Sequence, residues 1–168
     1  MVSFIIIQAG LIDELRERVG IVEDVIVIPL KKAVNLRGHL LEVQRVDDSH
    51  YPGFGQAYVT VTRPGVVKAW YRHSVQLDQI TLLTGALHLV LYDVREGSGS
   101  CRKLQHIYLD ESSPVLVQIP PGIWHGFQAI SSDSAMLLHL NTIPFDFNAP
   151  DEERLAADDP SIPYCWRS

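Results

Sequence analysis

The sequence predicts an all-β protein, built as a sandwich or barrel of short strands. About ten β-rich segments follow one another after Ile21, and apolar and polar residues alternate along most of them, as is typical of half-buried strands. Clusters of Pro, Gly, Asp and Ser separate the segments, and such clusters mark turns. No long helical pattern lies between them, which argues against a parallel α/β sheet.

Ahead of the strands, residues 10–20 favour a short amphipathic helix. Apolar residues stand there at helical spacing with charged residues between them, namely Leu11, Ile12, Leu15 and Val19. The apolar start MVSFIIIQAG is short and no positive residue precedes it. It therefore favours a first strand over a secretory signal.

The predicted strand segments are VIVIPL, HLLEVQRV, QAYVTVT, GVVKAWYRH, QITLLTG, ALHLVLYDV, KLQHIYL, PVLVQI, HGFQAI and AMLLHLN. The stretch LTGALHLVLYDV predicts a hairpin with Gly85 in its turn. In the tail, acidic residues after Pro150 suit a helix N-terminus, and a short helical segment is expected to end near Asp158, because Pro160 cannot continue it. With no repeat and no linker, residues 1–168 are predicted to form a single domain.

Composition and charge narrow the possible partners. The chain has 168 residues, with 20 acidic and 14 basic residues and a net charge of −6. No cluster of Lys and Arg is long enough to follow a phosphate backbone, so nucleic acid is not an expected partner. No apolar run of about 18 residues is present, so no membrane association is expected. Cys101 and Cys165 have no metal or redox spacing, and a reducing cytoplasm suits them best.

Residue spacing at two places indicates a small-molecule cavity. The stretch from Gly65 to Gly85 predicts a strand, a turn and a second strand that carry Tyr71, His73 and Asp78. About forty residues later, IPPGIWHGF predicts a Pro-Gly turn that leads into a strand beginning near His125. These spacings resemble the two cupin motifs, although cupins usually carry His-x-His and Glu in the first.

Taken together, the segments resemble the dTDP-4-dehydrorhamnose 3,5-epimerase family, a group of cupin-like jelly rolls. The similarity covers roughly residues 25 to 166, and the proline turn followed by HGF is its most specific part. The matching segments are RGHLLE from Arg37, Gln56 nine residues before Gly65, GVVK from Gly65, DVR from Asp93, IPPG with HGF, and DDP with Trp166.

The resemblance implies a cupin-type double-stranded β-helix, that is, a jelly roll. It also implies a cytoplasmic homodimer in which N-terminal strands extend the sheet of the partner. The implied activity is epimerisation of a small-molecule nucleotide sugar, a 4-keto-6-deoxyhexose nucleotide, by proton abstraction next to the ketone. Neither a metal nor another cofactor is implied.

The family's catalytic residue types occur here at exchanged positions. Tyr71 stands where the family has its catalytic His, and the place of the catalytic Tyr falls on His139. No residue of this sequence matches the Asp that orients that His. These reciprocal substitutions give a hypothesis in which His139 is the base and Tyr71 is the acid, with Lys68 and His125 beside the oxygen where charge develops. Lys68 replaces a family Arg.

Substrate-binding roles are expected for His73, His125, Asp78 and Gln56 on the same resemblance, with Asp78 in the place of a family Lys. Two further interpretations remain open. His73, Asp78 and His125 have the donor types of a two-His, one-carboxylate metal site, which a Tyr oxygen could complete. Alternatively, the protein is a non-catalytic cupin that binds a carbohydrate or nucleotide sugar, because fold does not fix function. In that case Tyr71 and His139 only line the pocket.

Overall fold

A computed structural model describes residues 22–166, which form two five-stranded antiparallel sheets and one two-stranded sheet. The strands in these residues are β1 (Ile26–Pro29), β2 (Lys32–Asn35), β3 (Gly38–Leu41), β4 (Gln56–Thr62), β5 (Val67–His73), β6 (Asp78–Thr84), β7 (Ala86–Asp93), β8 (Leu104–Asp110), β9 (Val115–Ile119), β10 (Ile123–Ala129), β11 (Ala135–Asn141) and β12 (Glu152–Arg154).

The first sheet has the strand order β1-β9-β6-β11-β4, and the second has the order β12-β5-β10-β7-β8. The main core contains buried side chains from both sheets, among them Ile80, Val117, Leu89 and Phe127. The two large sheets therefore pack face to face as a sandwich. Among the described strands, β2 and β3 pair only with each other, and both are largely exposed.

Strand β7 is buried on both of its faces, which explains its nearly continuous apolar sequence. Leu87, Leu89 and Leu91 belong to the core between the sheets, whereas Val90 and Tyr92 belong to a second apolar cluster. That cluster also contains Trp70 and Trp124, and the C-terminal segment packs against it through Leu155, Tyr164 and Trp166. The tail thus covers the outer face of the second sheet.

The structure confirms the all-β prediction, but it corrects two elements. β6 and β7 do not form a hairpin, because β6 pairs with β9 and β11 while β7 pairs with β8 and β10. Gly85, at φ 87°, instead turns the chain from one sheet to the other. A Cβ atom there would lie 2.9 Å from Ser131 Oγ and 3.1 Å from Ala135 Cα, so only Gly fits this corner.

The predicted C-terminal helix is also wrong, since Glu152–Arg154 forms a strand that pairs with β5. Backbone pairing of these residues with an open sheet edge outweighs the local helix preference of the segment between Pro150 and Asp158, because helices shorter than about 12 residues are marginal on their own. The predicted helix at Leu11–Val19 lies outside the described residues. Within residues 22–166 no helix is long and apolar enough to cross a membrane.

Candidate active site

A cavity of about 240 Å³ opens between the two sheets. It receives side chains from β4, β6 and β11 of the first sheet and from β5, β10 and β12 of the second. Its lining is predominantly aromatic and titratable and consists of Tyr58, Thr60, Lys68, Tyr71, His73, Asp78, Ile80, His125, Phe127, His139, Glu152 and Arg154. Polar groups that converge in one enclosed space are typical of a small-molecule site.

Six of the seven residues selected from the sequence line this cavity, namely Lys68, Tyr71, His73, Asp78, His125 and His139. Gln56 does not line it. The Oε1 atom of Gln56 instead accepts a hydrogen bond of 2.8 Å from the backbone N–H of Phe145. In this structure Gln56 therefore anchors the chain that follows β11.

A β-bulge explains how Lys68 and Tyr71 reach the same cavity from one strand. In a regular strand, residues three apart point to opposite faces. Here His125 pairs with Tyr71 and Phe127 pairs with Lys68, so β5 contains one residue more than β10 over this stretch. The extra residue shifts the alternation of β5, as bulges do. It brings the two side chains to the same side.

Asp78 lies at the centre of a buried polar cluster. Its Oδ2 atom is 3.1 Å from His125 Nε2 and 3.4 Å from His73 Nε2, and its Oδ1 atom accepts a hydrogen bond of 2.5 Å from Gln76 Nε2. Asp78 is only 4 % exposed, rather than exposed near the turn as its position in the sequence allows. A buried carboxylate requires such partners.

These contacts set the protonation of the cluster. Burial alone would raise the pKa of Asp78, but the hydrogen bonds from His125 and His73 hold this pKa well below its usual range. Burial alone would lower the pKa of His73, but the hydrogen bond and the charge of Asp78 raise this pKa above its ordinary value. Asp78 is thus ionised, because the neighbouring imidazoles favour the charged form of its carboxylate.

His125 has an acceptor at each ring nitrogen. Nδ1 lies 3.2 Å from the carbonyl oxygen of Ile123, and Nε2 faces Asp78. These two contacts hold the ring of His125 where it lines the cavity.

His139 lies on the opposite sheet in a different environment. Its Nε2 atom is 3.0 Å from Thr60 Oγ1, and its ring stacks on Tyr58 with the centroids 4.4 Å apart. Burial lowers the pKa of His139 to about 4, although the charge of Asp78 opposes this effect. The ring is therefore neutral at pH 7 and can accept a proton.

Tyr71 faces the cavity from β5. Burial raises the pKa of its hydroxyl above the ordinary value, although the positive charge of Arg154 opposes the increase. The guanidinium carbon of Arg154 lies 5.4 Å from the ring centroid of Tyr71, which is a cation–π distance. Tyr71 therefore keeps its proton at pH 7.

Lys68 supplies a second cation in the cavity. Its Nζ atom donates a hydrogen bond of 3.0 Å to the carbonyl oxygen of Val61 on β4. Because Lys68 belongs to β5, this contact also joins the two sheets. An ammonium group has three donors, so further donors remain for a ligand.

Sequence reasoning missed six cavity residues, the apolar Ile80 and Phe127 and four polar ones: Tyr58, Thr60, Glu152 and Arg154. The alternation in QAYVTVT places Tyr58 and Thr60 on one face of β4, but only the pairing of Tyr58 with His139 shows that this face meets the cavity. Glu152 and Arg154 lie in the segment for which the sequence predicts a helix. As alternate residues of a strand they share one face, while Glu153 points the other way and pairs with Arg72 at 2.6 Å.

The same buried cluster has the donor set of a metal site. One ligand atom each from His73, Asp78 and His125 can be chosen so that all three lie within 4.8 Å of one another. Two imidazoles and a carboxylate fit iron, manganese or nickel. In the structure these atoms contact each other at hydrogen-bonding and ion-pair distances, so ligation of an ion would replace these contacts.

Comparison with known proteins identifies the family. The family model for dTDP-4-dehydrorhamnose 3,5-epimerase matches residues 20–168. The probable low-salt glycan biosynthesis epimerase Agl13 of Haloferax volcanii is 37 % identical over 149 residues, which are 88 % of this chain and 96 % of that protein. The spore coat polysaccharide biosynthesis protein SpsL of Bacillus subtilis is 33 % identical over 147 residues, which are 88 % of this chain and 97 % of that protein.

A solved structure agrees with these relatives. The crystal structure of a dTDP sugar isomerase from Desulfovibrio desulfuricans superimposes with a TM-score of 0.85 at 31 % identity, covering 89 % of this chain and 95 % of that one. Sequence and fold thus agree over nearly the whole of both chains. This protein therefore belongs to the dTDP-4-dehydrorhamnose 3,5-epimerase family.

Proposed function

We propose that the protein epimerises a 4-keto-6-deoxyhexose nucleotide by moving protons at carbons next to the ketone. The observation that carries this proposal is that Tyr71 and His139 enter one cavity from opposite sheets. Epimerisation requires a proton acceptor on one face of the sugar and a proton donor on the other. Family membership makes a nucleotide sugar the preferred substrate class.

The environments of the two residues favour His139 as the base and Tyr71 as the acid. The low pKa of His139, about 4, keeps its ring neutral and able to accept a proton. The raised pKa of Tyr71 keeps its hydroxyl protonated and able to donate one. A base with so low a pKa abstracts a carbon-bound proton slowly, unless the resulting enolate is strongly stabilised.

Lys68 and His125 supply that stabilisation in our proposal. Lys68 brings an ammonium group to the cavity, and the ring of His125 lines the same cavity. A positive charge near the ketone oxygen stabilises the enolate that forms between the two proton transfers. Because these groups are already held by the fold, the reaction needs little reorganisation.

Arg154 is the group that we assign to the diphosphate of the nucleotide. Its Nε atom pairs with Glu152, and its side chain is 70 % exposed. No other hydrogen bond of its guanidinium occurs in the described part of the chain, so the terminal nitrogens are available to a ligand. A guanidinium fork suits phosphate oxygens.

Incorporation of solvent deuterium into a dTDP-4-keto-6-deoxyhexose tests the acid and base roles. His139→Ala is expected to abolish incorporation, and Tyr71→Phe is expected to slow it. His50→Ala and Tyr51→Phe are matched controls, because they make the same chemical changes outside the cavity. If His139→Ala and Tyr71→Phe both match the wild type, the assigned roles are wrong.

A second candidate function, metal-dependent catalysis, is favoured by the grouping of His73, Asp78 and His125. Those three residues would hold the ion, which would polarise a substrate oxygen. Elemental analysis of the purified protein tests this candidate. A stoichiometric metal that is lost in both His73→Ala and His125→Ala would support it, whereas metal-free protein with full activity would contradict it.

We also infer a cytoplasmic homodimer. Within residues 22–166, strand β4 lies at the edge of its sheet and exposes Val59 and Val61, and the β2–β3 sheet exposes Val34 and Leu40. An exposed apolar edge favours pairing with another chain. Cys101 and Cys165 carry free thiols, which suit a reducing compartment. Light scattering coupled to gel filtration tests the dimer, and a monomeric mass at micromolar concentration would contradict it.

A further inference from the structure

Asp151 lies immediately before β12 and faces the turn between β5 and β6. Its carboxylate accepts three backbone hydrogen bonds, from Ser74 at 3.2 Å, Val75 at 3.0 Å and Gln76 at 2.8 Å. Its side chain is 20 % exposed. One carboxylate from the C-terminal segment therefore fixes the backbone of a turn some 75 residues earlier.

The same carboxylate faces His73 from the side opposite Asp78. Its Oδ2 atom lies 3.8 Å from His73 Nδ1, while His73 Nε2 lies 3.4 Å from Asp78 Oδ2. The His73 ring thus stands between two carboxylates, one at each nitrogen. At 3.8 Å the contact with Asp151 is an electrostatic attraction rather than a hydrogen bond, and it orients the ring through its charge.

Gln76 connects Asp151 to the cluster by a second route. Its backbone N–H donates to Asp151, and its side-chain Nε2 donates to Asp78 Oδ1 at 2.5 Å and lies 3.3 Å from His73 Nε2. Gln76 is buried, with 6 % exposure. A shift of the turn would therefore move the amide that holds both Asp78 and His73.

We propose that Asp151 is a positioning residue for the cavity, acting through His73 and Gln76 to hold Asp78 and, through it, His125. Carboxylates that orient an imidazole from behind are a common device at functional sites. The catalytic consequence rests on the proposed epimerase function, whereas the geometric consequence does not. The pairing of β12 with β5 aligns Glu152 with His73. This pairing positions the preceding residue, Asp151, beside His73.

The test compares Asp151→Asn with Asp159→Asn by two independent measurements. Asp159 also accepts two hydrogen bonds, from the backbone N–H and from the hydroxyl of Ser161. Asp159 does not line the cavity. In Asp151→Asn we expect the nitrogen-15 signals of the His73 and His125 rings to shift at fixed pH. We also expect kcat for deuterium exchange to fall about 10-fold to 100-fold, with KM changed less than about twofold. Asp159→Asn should change neither measurement.

The ring signals are recorded without substrate, so they separate this inference from the proposed function. If the wild-type protein catalyses no exchange, the epimerase function is contradicted. Ring signals that nevertheless shift in Asp151→Asn would still support the positioning role. Unchanged His73 and His125 signals in Asp151→Asn would overturn the positioning role, whatever the activity. A lowered melting temperature with unchanged kcat per folded molecule would also overturn it, because Asp151 would then only stabilise the turn.

A second variant covers the case in which Asp151→Asn does not fold. Gln76→Met removes the side-chain amide but leaves the backbone N–H that Asp151 binds. We expect it to shift the same ring signals, since Gln76 Nε2 contacts both His73 and Asp78. Unchanged signals in this variant would contradict the route through Gln76 and overturn the proposal as stated.

Discussion

His125 Nε2 lies 3.1 Å from Asp78 Oδ2, and this contact joins the two sheets at the cavity. His125 extends from β10 of the second sheet, and Asp78 extends from β6 of the first. The polar cluster is therefore part of the packing of the sandwich as well as part of the site. Substitutions in the cluster should change stability and ligand binding together.

Asp78→Ala tests this structural contribution. Removing one member of a buried ion pair leaves its partners uncompensated, so the free energy of unfolding should fall by about 3 kcal/mol. Urea titration at pH 7 measures the change. Asp47→Ala is the control, because Asp47 pairs with Arg45 at an exposed site, where such pairs contribute little. Equal denaturation midpoints for Asp78→Ala and Asp47→Ala would contradict the account.

The stability of the protein should depend on the ionisation of His139. Its pKa in the folded protein is about 4, below the value of about 6.5 expected for an unfolded chain. Folding favours the neutral ring. The contribution of His139 to the free energy of unfolding is therefore complete above pH 6.5 and is lost as the pH falls towards 4.

Urea titrations of the wild type and His139→Gln between pH 7 and pH 4 measure this loss. The free energy of unfolding of the wild type should fall by roughly 3 kcal/mol more over that range than that of the variant, because the substituted side chain at position 139 cannot ionise. If the free energy of unfolding changes with pH in the same way for both proteins, His139 is not held neutral by burial.

Gly126 lies where β10 approaches β5 and the C-terminal segment. A Cβ atom on Gly126 would lie 2.4 Å from Ala69 Cβ and 3.0 Å from Trp166 Cζ2. Gly126→Ala should therefore destabilise the protein by about 1 to 3 kcal/mol. At Gly99 the nearest atom is Glu23 Oε2 at 3.7 Å, so Gly99→Ala should leave the melting temperature nearly unchanged. The opposite order of melting temperatures would contradict the packing described for this face.

Arg154 should contribute to nucleotide affinity. Arg154→Gln is expected to weaken binding of dTDP about 10-fold, because hydrogen bonds to charged groups contribute about 1.5 to 3 kcal/mol. Arg72→Gln is the matched control, since it removes the same charge from the neighbouring strand. Arg72 pairs with Glu153 and stacks on Trp124 instead of lining the cavity. Isothermal titration calorimetry measures the dTDP affinity of both variants. An equal loss of affinity would show a general effect of charge rather than a contact between Arg154 and the nucleotide.

The sequence was sufficient to predict most of the strands and half of the residues that line the cavity, because strand alternation and motif spacing are local patterns. QAYVTVT and AMLLHLN each became a strand with the predicted extent. The joint position of Tyr71 and Lys68 could not be derived from alternation, because it depends on a bulge that appears only when β5 pairs with β10. The apolar arms around Gly85 suggested a hairpin, since a local pattern does not show which sheet each strand joins.

The tail was the least predictable part of the site. Its acidic residues after Pro150 suit a helix start, yet Glu152–Arg154 completes the second sheet as an edge strand. That pairing brings Asp151, Glu152 and Arg154 to the site from far along the chain. Long-range backbone pairing leaves no signature in a three-residue segment.

Solvent-deuterium incorporation by the wild-type protein is a direct test of the proposed epimerase function. The measurement is proton NMR of dTDP-4-keto-6-deoxyglucose in deuterated water, with and without a chelator. If the protein is a metal-independent epimerase, the C3 or C5 proton signal will be lost at a rate that the chelator does not change. No exchange, with dTDP-sugar binding retained, would contradict the epimerase function and indicate a binding protein. Exchange that stops with the chelator would assign the chemistry to a metal at His73, Asp78 and His125.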